Sequence, residues 1–199
     1  MKIVFVAPDP GSFRSGGNVY NERLLNALRE QEVEAVRAEP ADLPEGDLFL
    51  VDTLYAPDWP GGERSAWLIV HHLESLFPPP EYDSQTYVER FERSLLDRFE
   101  GFLVSSDFTR DYLRQRGLTD RPIVVVPPAL DERPPIPDRS WKSVRALMVA
   151  NLVHRKGILP FLEALSKQET GDLRLDLIGE RGLEPDYARD CLALIDRLA

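Results

Sequence analysis

The feature that most constrains the fold is an alternation along the whole chain, in which short apolar runs bounded by turn residues alternate with segments of helical periodicity. Strands that are connected through helices pair in parallel, because a parallel neighbour is reached only by a long crossover. Such a sheet has to be covered on both faces. The alternation therefore predicts an α/β fold: a Rossmann-like parallel sheet flanked by helices, followed by a partial second Rossmann-like unit.

The predicted elements form two groups separated by prolines. The first group has strands at 2–8, 33–38, 47–52, 66–71, 101–106 and 122–127, with helices at 18–31, 84–99 and 108–117. The second has strands at 144–151 and 173–179, with helices at 157–168 and 185–198. Five of the 17 prolines fall within residues 127–137, which is typical of an extended linker. We expect an N-terminal domain at 1–128, a Pro-rich linker at 129–143 and a partial C-terminal domain at 144–199.

Composition excludes several classes of protein. A formal net charge of -10 argues against binding nucleic acid, which draws on clustered Lys and Arg. No run approaches the ~20 apolar residues that span a membrane. Cys191 is the sole cysteine, so it can form no intramolecular disulfide, and we expect it to be a small apolar residue of a helix. The N-terminus lacks the pattern of a secretory signal, and we therefore expect a cytoplasmic protein.

Adjacent glycines, Gly16 and Gly17, stand between the first strand and the first helix in "FRSGGNVYNERLL". Glycine allows a positive φ and removes the Cβ that would hold a ligand away, and the helix N-terminus that follows offers free N–H groups. Phosphate or a sugar oxygen would suit this place, with Asn18 lining the same cleft. The alternative interpretation is a turn that starts a helix.

A second candidate is the basic loop "HRKG", where Arg155, Lys156 and Gly157 open a predicted helix and Asn151 ends the strand before it. A lysine at a helix N-terminus opposes the helix dipole. That unfavourable placement makes sense if an anion lies between the ammonium group and the backbone N–H groups. The alternative is a solvated basic loop.

The third candidate is "IVHHLES", in which a buried strand brings His71 and His72 to its carboxyl end, the edge at which open α/β sheets bind ligands. Adjacent strand residues point to opposite faces, so the pair cannot chelate one metal. One histidine would line the cleft, or both are structural. Ser105 and Ser106 end a neighbouring strand, where they line the cleft or cap the next helix. No D-x-D pair occurs, and we expect no metal and no cofactor.

These pieces occur in an order that resembles the GT-B glycosyltransferases, specifically the retaining nucleotide-sugar-dependent enzymes of glycosyltransferase family 4. The segments that carry the resemblance are "SGGNVYNERLLNAL", "LIVHHLES", "FLVSSDFTRDYLRQRG", "IVVVPPALD" and "ALMVANLVHRKGILPFLEAL". The resemblance implies that residues 1–128 are the acceptor-side domain and that residues 144–199 begin the donor-binding domain. It also implies a nucleotide-sugar donor, an unidentified acceptor and no required divalent metal.

Site residues follow from the same resemblance. Gly16 and Gly17 would face the donor phosphates or the transferred sugar, and His71 would contact that sugar or the nascent bond as the catalytic residue. Lys156, with Arg155 and Gly157, would neutralise the diphosphate as it leaves. Retention of configuration would then come from front-face attack assisted by the leaving phosphate.

The chain also departs from the family pattern. Asn151 stands where the family has Arg, Ala150 where it has Gly, and Pro-Pro-Ala at 127–129 where it has Pro-Asn-Gly. We expect the glutamates of the family's E-x7-E element to lie beyond residue 199, so that this chain alone has little activity. Its unfinished second unit would dimerise or swap domains through 144–199. Two other functions stay open: a non-catalytic binding or regulatory module, and a sugar-nucleotide epimerase of the same architecture.

Overall fold

The computed structural model of the chain describes residues 1–11, 15–78, 81–129, 145–169, 171 and 173–198. The chain divides into two compact units, residues 1–132 and 133–199. The first unit holds a six-stranded, all-parallel sheet, and the second a two-stranded parallel sheet. These sheets confirm the predicted α/β class. The predicted linker at 129–143 lies outside the described residues except for Ala129. The roles expected for the two units remain predictions.

The strands are β1 Lys2–Val6, β2 Glu34–Ala38, β3 Leu48–Asp52, β4 Ala66–Val70, β5 Gly101–Val104, β6 Ile123–Val125, β7 Arg145–Val149 and β8 Arg174–Ile178. The helices are α1 Gly16–Glu30, α2 Ser84–Tyr87, α3 Arg93–Leu96, α4 Asp107–Gln115, α5 Ile158–Leu165 and α6 Pro185–Leu198. All the predicted strands occur, with ends up to two residues inside the predicted ones.

The strand order of the first unit defines where a ligand would bind. The order is β2-β1-β3-β4-β5-β6, so the chain crosses from β1 to β2 on one side and then continues with β3 on the other side of β1. The reversal makes the β1/β3 boundary the topological switch point. In open α/β sheets, ligands bind outside the carboxyl ends of the strands at such a point.

Period-two side-chain alternation explains why both faces of this sheet are covered. Val4 and Val6 of β1 pack into the apolar cluster on one face, while Ile3 and Phe5 pack into the cluster on the other. The second cluster includes Leu25 of α1. Successive residues of a strand point to opposite faces of the sheet. A strand that is covered on both faces therefore needs apolar residues at every position.

Two helix starts follow from serine caps. The Ser15 hydroxyl accepts a hydrogen bond from the Asn18 N–H, so α1 begins at Gly16, two residues before the predicted start at residue 18. The Ser106 hydroxyl accepts from the Thr109 N–H at 3.2 Å, so Ser106 caps α4, which begins at Asp107 rather than at the predicted residue 108. Gly117, with φ +57°, follows the end of α4, where a glycine in the left-handed region commonly terminates a helix.

The prediction of one regular helix over 84–99 is wrong. A π-helical turn, Val88–Glu92, separates α2 from α3, and α3 ends at Leu96. The extra residue breaks the four-residue spacing, so Phe91 is 44% exposed while Phe99 is fully buried. The turn directs the Glu92 carboxylate inward, where it accepts hydrogen bonds from the Ser75 N–H and hydroxyl. Burial raises the pKa of Glu92, although these hydrogen bonds oppose the shift.

The second unit covers only one face of its sheet within the residues that the structure describes. Helices α5 and α6 pack on that face around Leu162 and Cys191, and the burial of Cys191 in α6 confirms its predicted structural role. On the other face, the side chains of Leu147, Val149 and Ile178 are 63%, 72% and 59% exposed. We call these three residues the open sheet face. A cavity of about 990 Å³ lies among β8, α5 and α6.

Among the helices of the described segments, none combines the length and the apolar character needed to cross a membrane.

Candidate functional site

Three polar residues meet at the topological switch point of the first unit. Asn21 lies on α1, Asp52 is the last residue of β3, and His71 directly follows β4. Asn21 and Asp52 are 1% and 4% exposed, although a buried polar side chain is unfavourable unless it is hydrogen-bonded. We call Asn21, Asp52 and His71 the switch-point cluster.

Hydrogen bonds connect all three members of the cluster. Asn21 Nδ2 donates to Asp52 Oδ2 at 2.5 Å, and His71 Nε2 lies 2.9 Å from Asn21 Oδ1. His71 Nε2 is also 3.4 Å from Asp52 Oδ2. The second carboxylate oxygen of Asp52 accepts from the Leu54 N–H at 2.7 Å. The imidazole therefore contacts two side chains, Asn21 of α1 and Asp52 of β3, through the same nitrogen, Nε2.

A threonine fixes the backbone on which the cluster stands. The Thr53 hydroxyl donates to the Ile69 carbonyl at 2.6 Å and accepts from the His71 N–H at 3.0 Å. Thr53 follows β3, whereas Ile69 lies on β4 and His71 follows it. The carboxyl ends of the two strands are thus joined beyond their regular pairing.

The charge of Asp52 is favoured by its neighbours. Burial by itself would raise the pKa of this carboxyl, but hydrogen bonds from His71, the Leu54 N–H and Asn21, together with the charge of His71, lower it below its ordinary value. A pKa lowered in this way means that the ionised carboxylate is the form that the fold stabilises. Asp52 is an anion at neutral pH.

Tyr20 packs against the histidine. Its ring meets the His71 ring edge to face, with centroids 5.3 Å apart and an interplanar angle of 84°. The Tyr20 hydroxyl donates to the Val126 carbonyl at 2.8 Å, and burial raises the pKa of Tyr20 to about 12. Because its pKa is raised, the phenol stays protonated. The packing of its ring restricts the orientation of the imidazole.

The two glycines have different surroundings. Both are helical residues of α1 and neither has a positive φ, so the conformational freedom considered from the sequence is not used at either position. A Cβ on Gly17 would lie 3.1 Å from His71 Cδ2, whereas a Cβ on Gly16 would meet no atom of the described residues within 4 Å. The space beside Gly17 is thus filled by the His71 ring, whereas none of the described residues fills the space beside Gly16.

The remaining cleft candidates of the first unit do not belong to the switch-point cluster, and some of them already make other contacts. His72 stacks on Phe77, with ring centroids 6.5 Å apart, and lines a cavity of about 380 Å³. Asn18 is 3% exposed, Ser105 is half-buried, and the Ser106 hydroxyl caps α4. His71 and His72 thus have separate environments.

In the second unit, part of the predicted anion site is already hydrogen-bonded. His154–Lys156 form a 3₁₀ turn, Gly157 has φ +63°, and α5 begins at Ile158 rather than at residue 157. The His154 N–H and Nδ1 contact the Glu184 carboxylate at 3.0 and 2.6 Å.

The first turn of α5 is partly capped from within the chain, because the Leu159 N–H donates to the Tyr187 hydroxyl at 2.9 Å. Arg155 and Lys156 are exposed, and Asn151 Oδ1 accepts from the Glu180 N–H at 3.2 Å. Both interpretations of the basic loop, anion site and solvated loop, stay open.

Sequence reasoning missed Asn21, Asp52 and Tyr20. One signal for Asp52 was available, since it ends the apolar run "LFLVD" at the carboxyl edge of the sheet. Among the described side chains, no group of three or more His, Cys, Asp or Glu residues could hold a metal ion.

Comparison with known proteins gives distant matches among solved structures. No protein-family model matches the chain, and no curated protein matches it. Among solved structures, it matches a chain of the "Glycosylation Associate Protein (Gap123) complex from Streptococcus agalactiae" with a TM-score of 0.34 and 16% identity. The match covers 88% of this chain and 33% of the other, so the present chain spans about a third of that protein's length. The likeness is too distant to assign a family or a function.

Proposed function

We propose that the chain is the acceptor-side unit and the beginning of the donor-binding unit of a retaining glycosyltransferase that uses a nucleotide-sugar. The observation that carries the proposal is the position of His71 at the topological switch point, where its ring packs against Gly17. The order of sequence segments that resemble glycosyltransferase family 4 supports the same function. The match to the glycosylation-associated complex is too distant to add support.

His71 is the proposed catalytic residue. Its ring is fixed by Asn21, Asp52 and Tyr20, and a group held in one orientation can act on a substrate without first being ordered. The open space at Gly16 lets a sugar or phosphate oxygen approach the first turn of α1. The N-terminal end of a helix favours an anion or a sugar hydroxyl.

Lys156 is the proposed partner of the donor diphosphate, assisted by Arg155 and Gly157. The Lys156 side chain is exposed and therefore accessible to a ligand in solution. An ammonium group stabilises the negative charge that develops on the leaving diphosphate. Transfer with retention would proceed by front-face attack, and this chain alone would have little transfer activity.

The proposal is tested by titrating the chain with nucleoside diphosphates and nucleotide-sugars in a calorimeter. We expect at least one of them to bind, and Lys156→Ala to weaken that binding about 10- to 100-fold, the effect of losing one charge-assisted hydrogen bond. Lys167→Ala is the matched control, because Lys167 is an exposed lysine just after α5. Equal effects of the two substitutions would contradict the role of Lys156.

A second measurement separates this function from its alternatives. The chain is incubated with the nucleotide-sugar that binds, with and without candidate hydroxyl acceptors, and the products are separated. Transfer or slow hydrolysis that releases nucleoside diphosphate supports the proposal. Conversion of the donor to its epimer without acceptor would identify an epimerase, and absence of binding by every nucleotide would favour a non-catalytic binding module.

A further inference from the structure

The hydrogen bonds of the switch-point cluster can be assigned a direction. Ionised Asp52 can only accept hydrogen bonds, so the Asn21 amide must direct its NH₂ group toward Asp52 Oδ2. The Asn21 carbonyl oxygen then faces His71 Nε2 at 2.9 Å, and this oxygen also can only accept. Both oxygens next to Nε2 are acceptors, and Nε2 must therefore carry a hydrogen.

The other ring nitrogen has a different environment. Within the part of the chain that the structure describes, the His71 contacts use Nε2, the backbone N–H and the ring face or edge, and Nδ1 has no hydrogen-bond partner. Gly17 contributes to this arrangement, because a side chain there would press on the Cδ2–Nε2 edge of the ring. In neutral histidine, a hydrogen on Nε2 leaves a lone pair on Nδ1.

We propose that Asn21 and Asp52 are positioning residues that hold the imidazole hydrogen of His71 on Nε2, so that Nδ1 faces the ligand as a hydrogen-bond acceptor. A lone pair accepts a hydroxyl hydrogen and repels a phosphate oxygen. The group that contacts Nδ1 is therefore a hydroxyl of the transferred sugar or of the acceptor, not the diphosphate. This last step rests on the proposed transferase function, whereas the position of the hydrogen does not.

The experiment is long-range ¹H–¹⁵N correlation NMR of the histidine rings in the ligand-free, ¹⁵N-labelled chain, at a pH where His71 is neutral. His71→Gln assigns the signals. We expect Nδ1 of His71 to resonate as an unprotonated nitrogen and Nε2 as a protonated one. A hydrogen on Nδ1 would overturn the proposal.

Substitution of Asp52 tests whether this residue holds the hydrogen of His71 on Nε2. Asp52→Asn removes the charge and allows the Asn21 amide to turn, and we expect the ratio of the two neutral His71 tautomers to fall about tenfold or more. Asp47→Asn is the matched control, because Asp47 is an exposed aspartate whose carboxylate also accepts a backbone N–H, that of Lys2. The signals of His72 should be unchanged in both variants. An unchanged His71 ratio in folded Asp52→Asn would overturn the positioning role.

Ligand addition tests the hydroxyl assignment. With UDP-glucose or GDP-mannose as the probe, we expect the Nδ1 signal to move while Nδ1 stays unprotonated. Inorganic diphosphate should leave Nδ1 unprotonated as well, and protonation of Nδ1 by diphosphate would overturn the assignment. If no nucleotide binds but the hydrogen is on Nε2, the transferase proposal fails and the positioning role stands.

Discussion

Substitution of Gly16 and Gly17 by alanine should change stability in opposite directions, although the two glycines are adjacent in α1. Alanine is favoured over glycine in a helix by up to about 1 kcal/mol. The new Cβ at residue 16 would meet no atom of the part of the chain that the structure describes within 4 Å, so we expect Gly16→Ala to receive this gain. For a chain of 199 residues the gain corresponds to a rise in Tm of about 2–4 °C.

Gly17→Ala would receive the same backbone gain but displace the His71 ring. Its Cβ would lie 3.1 Å from His71 Cδ2 and 3.3 Å from Cγ, whereas carbon atoms pack at about 3.5–4.0 Å. The ring has to move by several tenths of an ångström while Asn21 holds Nε2 at 2.9 Å. Losing that hydrogen bond would cost about 1–3 kcal/mol, so we expect Gly17→Ala to be less stable than Gly16→Ala by up to about 3 kcal/mol.

The assay is urea unfolding followed by circular dichroism, with the slope of the transition checked for each variant. The intrinsic helix preference is the same in both substitutions, so the difference between them isolates the contact with His71. Equal stabilities within about 0.3 kcal/mol would refute the reasoning that the missing Cβ of Gly17 makes room for the imidazole.

Two further predictions concern acid stability and self-association. Because its folded-state pKa lies below the unfolded value of about 3.9, Asp52 should add stability above that pH and lose it as the pH falls through the folded-state pKa. The Tm advantage of the unsubstituted chain over Asp52→Asn should therefore shrink on acidification below about pH 4, and a constant difference would contradict the ionised state of Asp52. Residues 144–199 should self-associate through the open sheet face, and Val149→Lys, which charges a 72% exposed position on it, should lower the average mass in light scattering. A monomeric unsubstituted chain at high concentration would contradict this prediction.

The sequence predicted the fold well because its apolar periodicity directly encodes which faces are covered. The run "AWLIV" is central in the sheet, as a doubly covered strand should be, and the serine before α4 is its cap. The π-helical turn was not predicted, and it places Glu92 in a tertiary contact with Ser75, which lies 17 residues earlier in the chain. Local periodicity carries no information on that contact.

The candidate site was only partly predictable for a similar reason. His71 was found because it ends an apolar strand and because its segment resembles a known family. Its partners Asn21 and Asp52 lie 50 and 19 residues earlier, and they become neighbours only through the order β1-β3-β4. The roles of His71, Gly16 and Lys156 in binding or catalysis stay predictions until ligands are tested.

The hydrogen bond between Tyr20 and the Val126 carbonyl gives the site an order of assembly during synthesis. Asn21, Asp52 and His71 all leave the ribosome within the first 71 residues, so their strands can pair while the rest of the sheet is still being translated. Tyr20 finds its acceptor only when the chain has grown to Val126, which lies 106 residues after Tyr20. The ring that confines the imidazole is therefore anchored last, at the completion of the sixth strand.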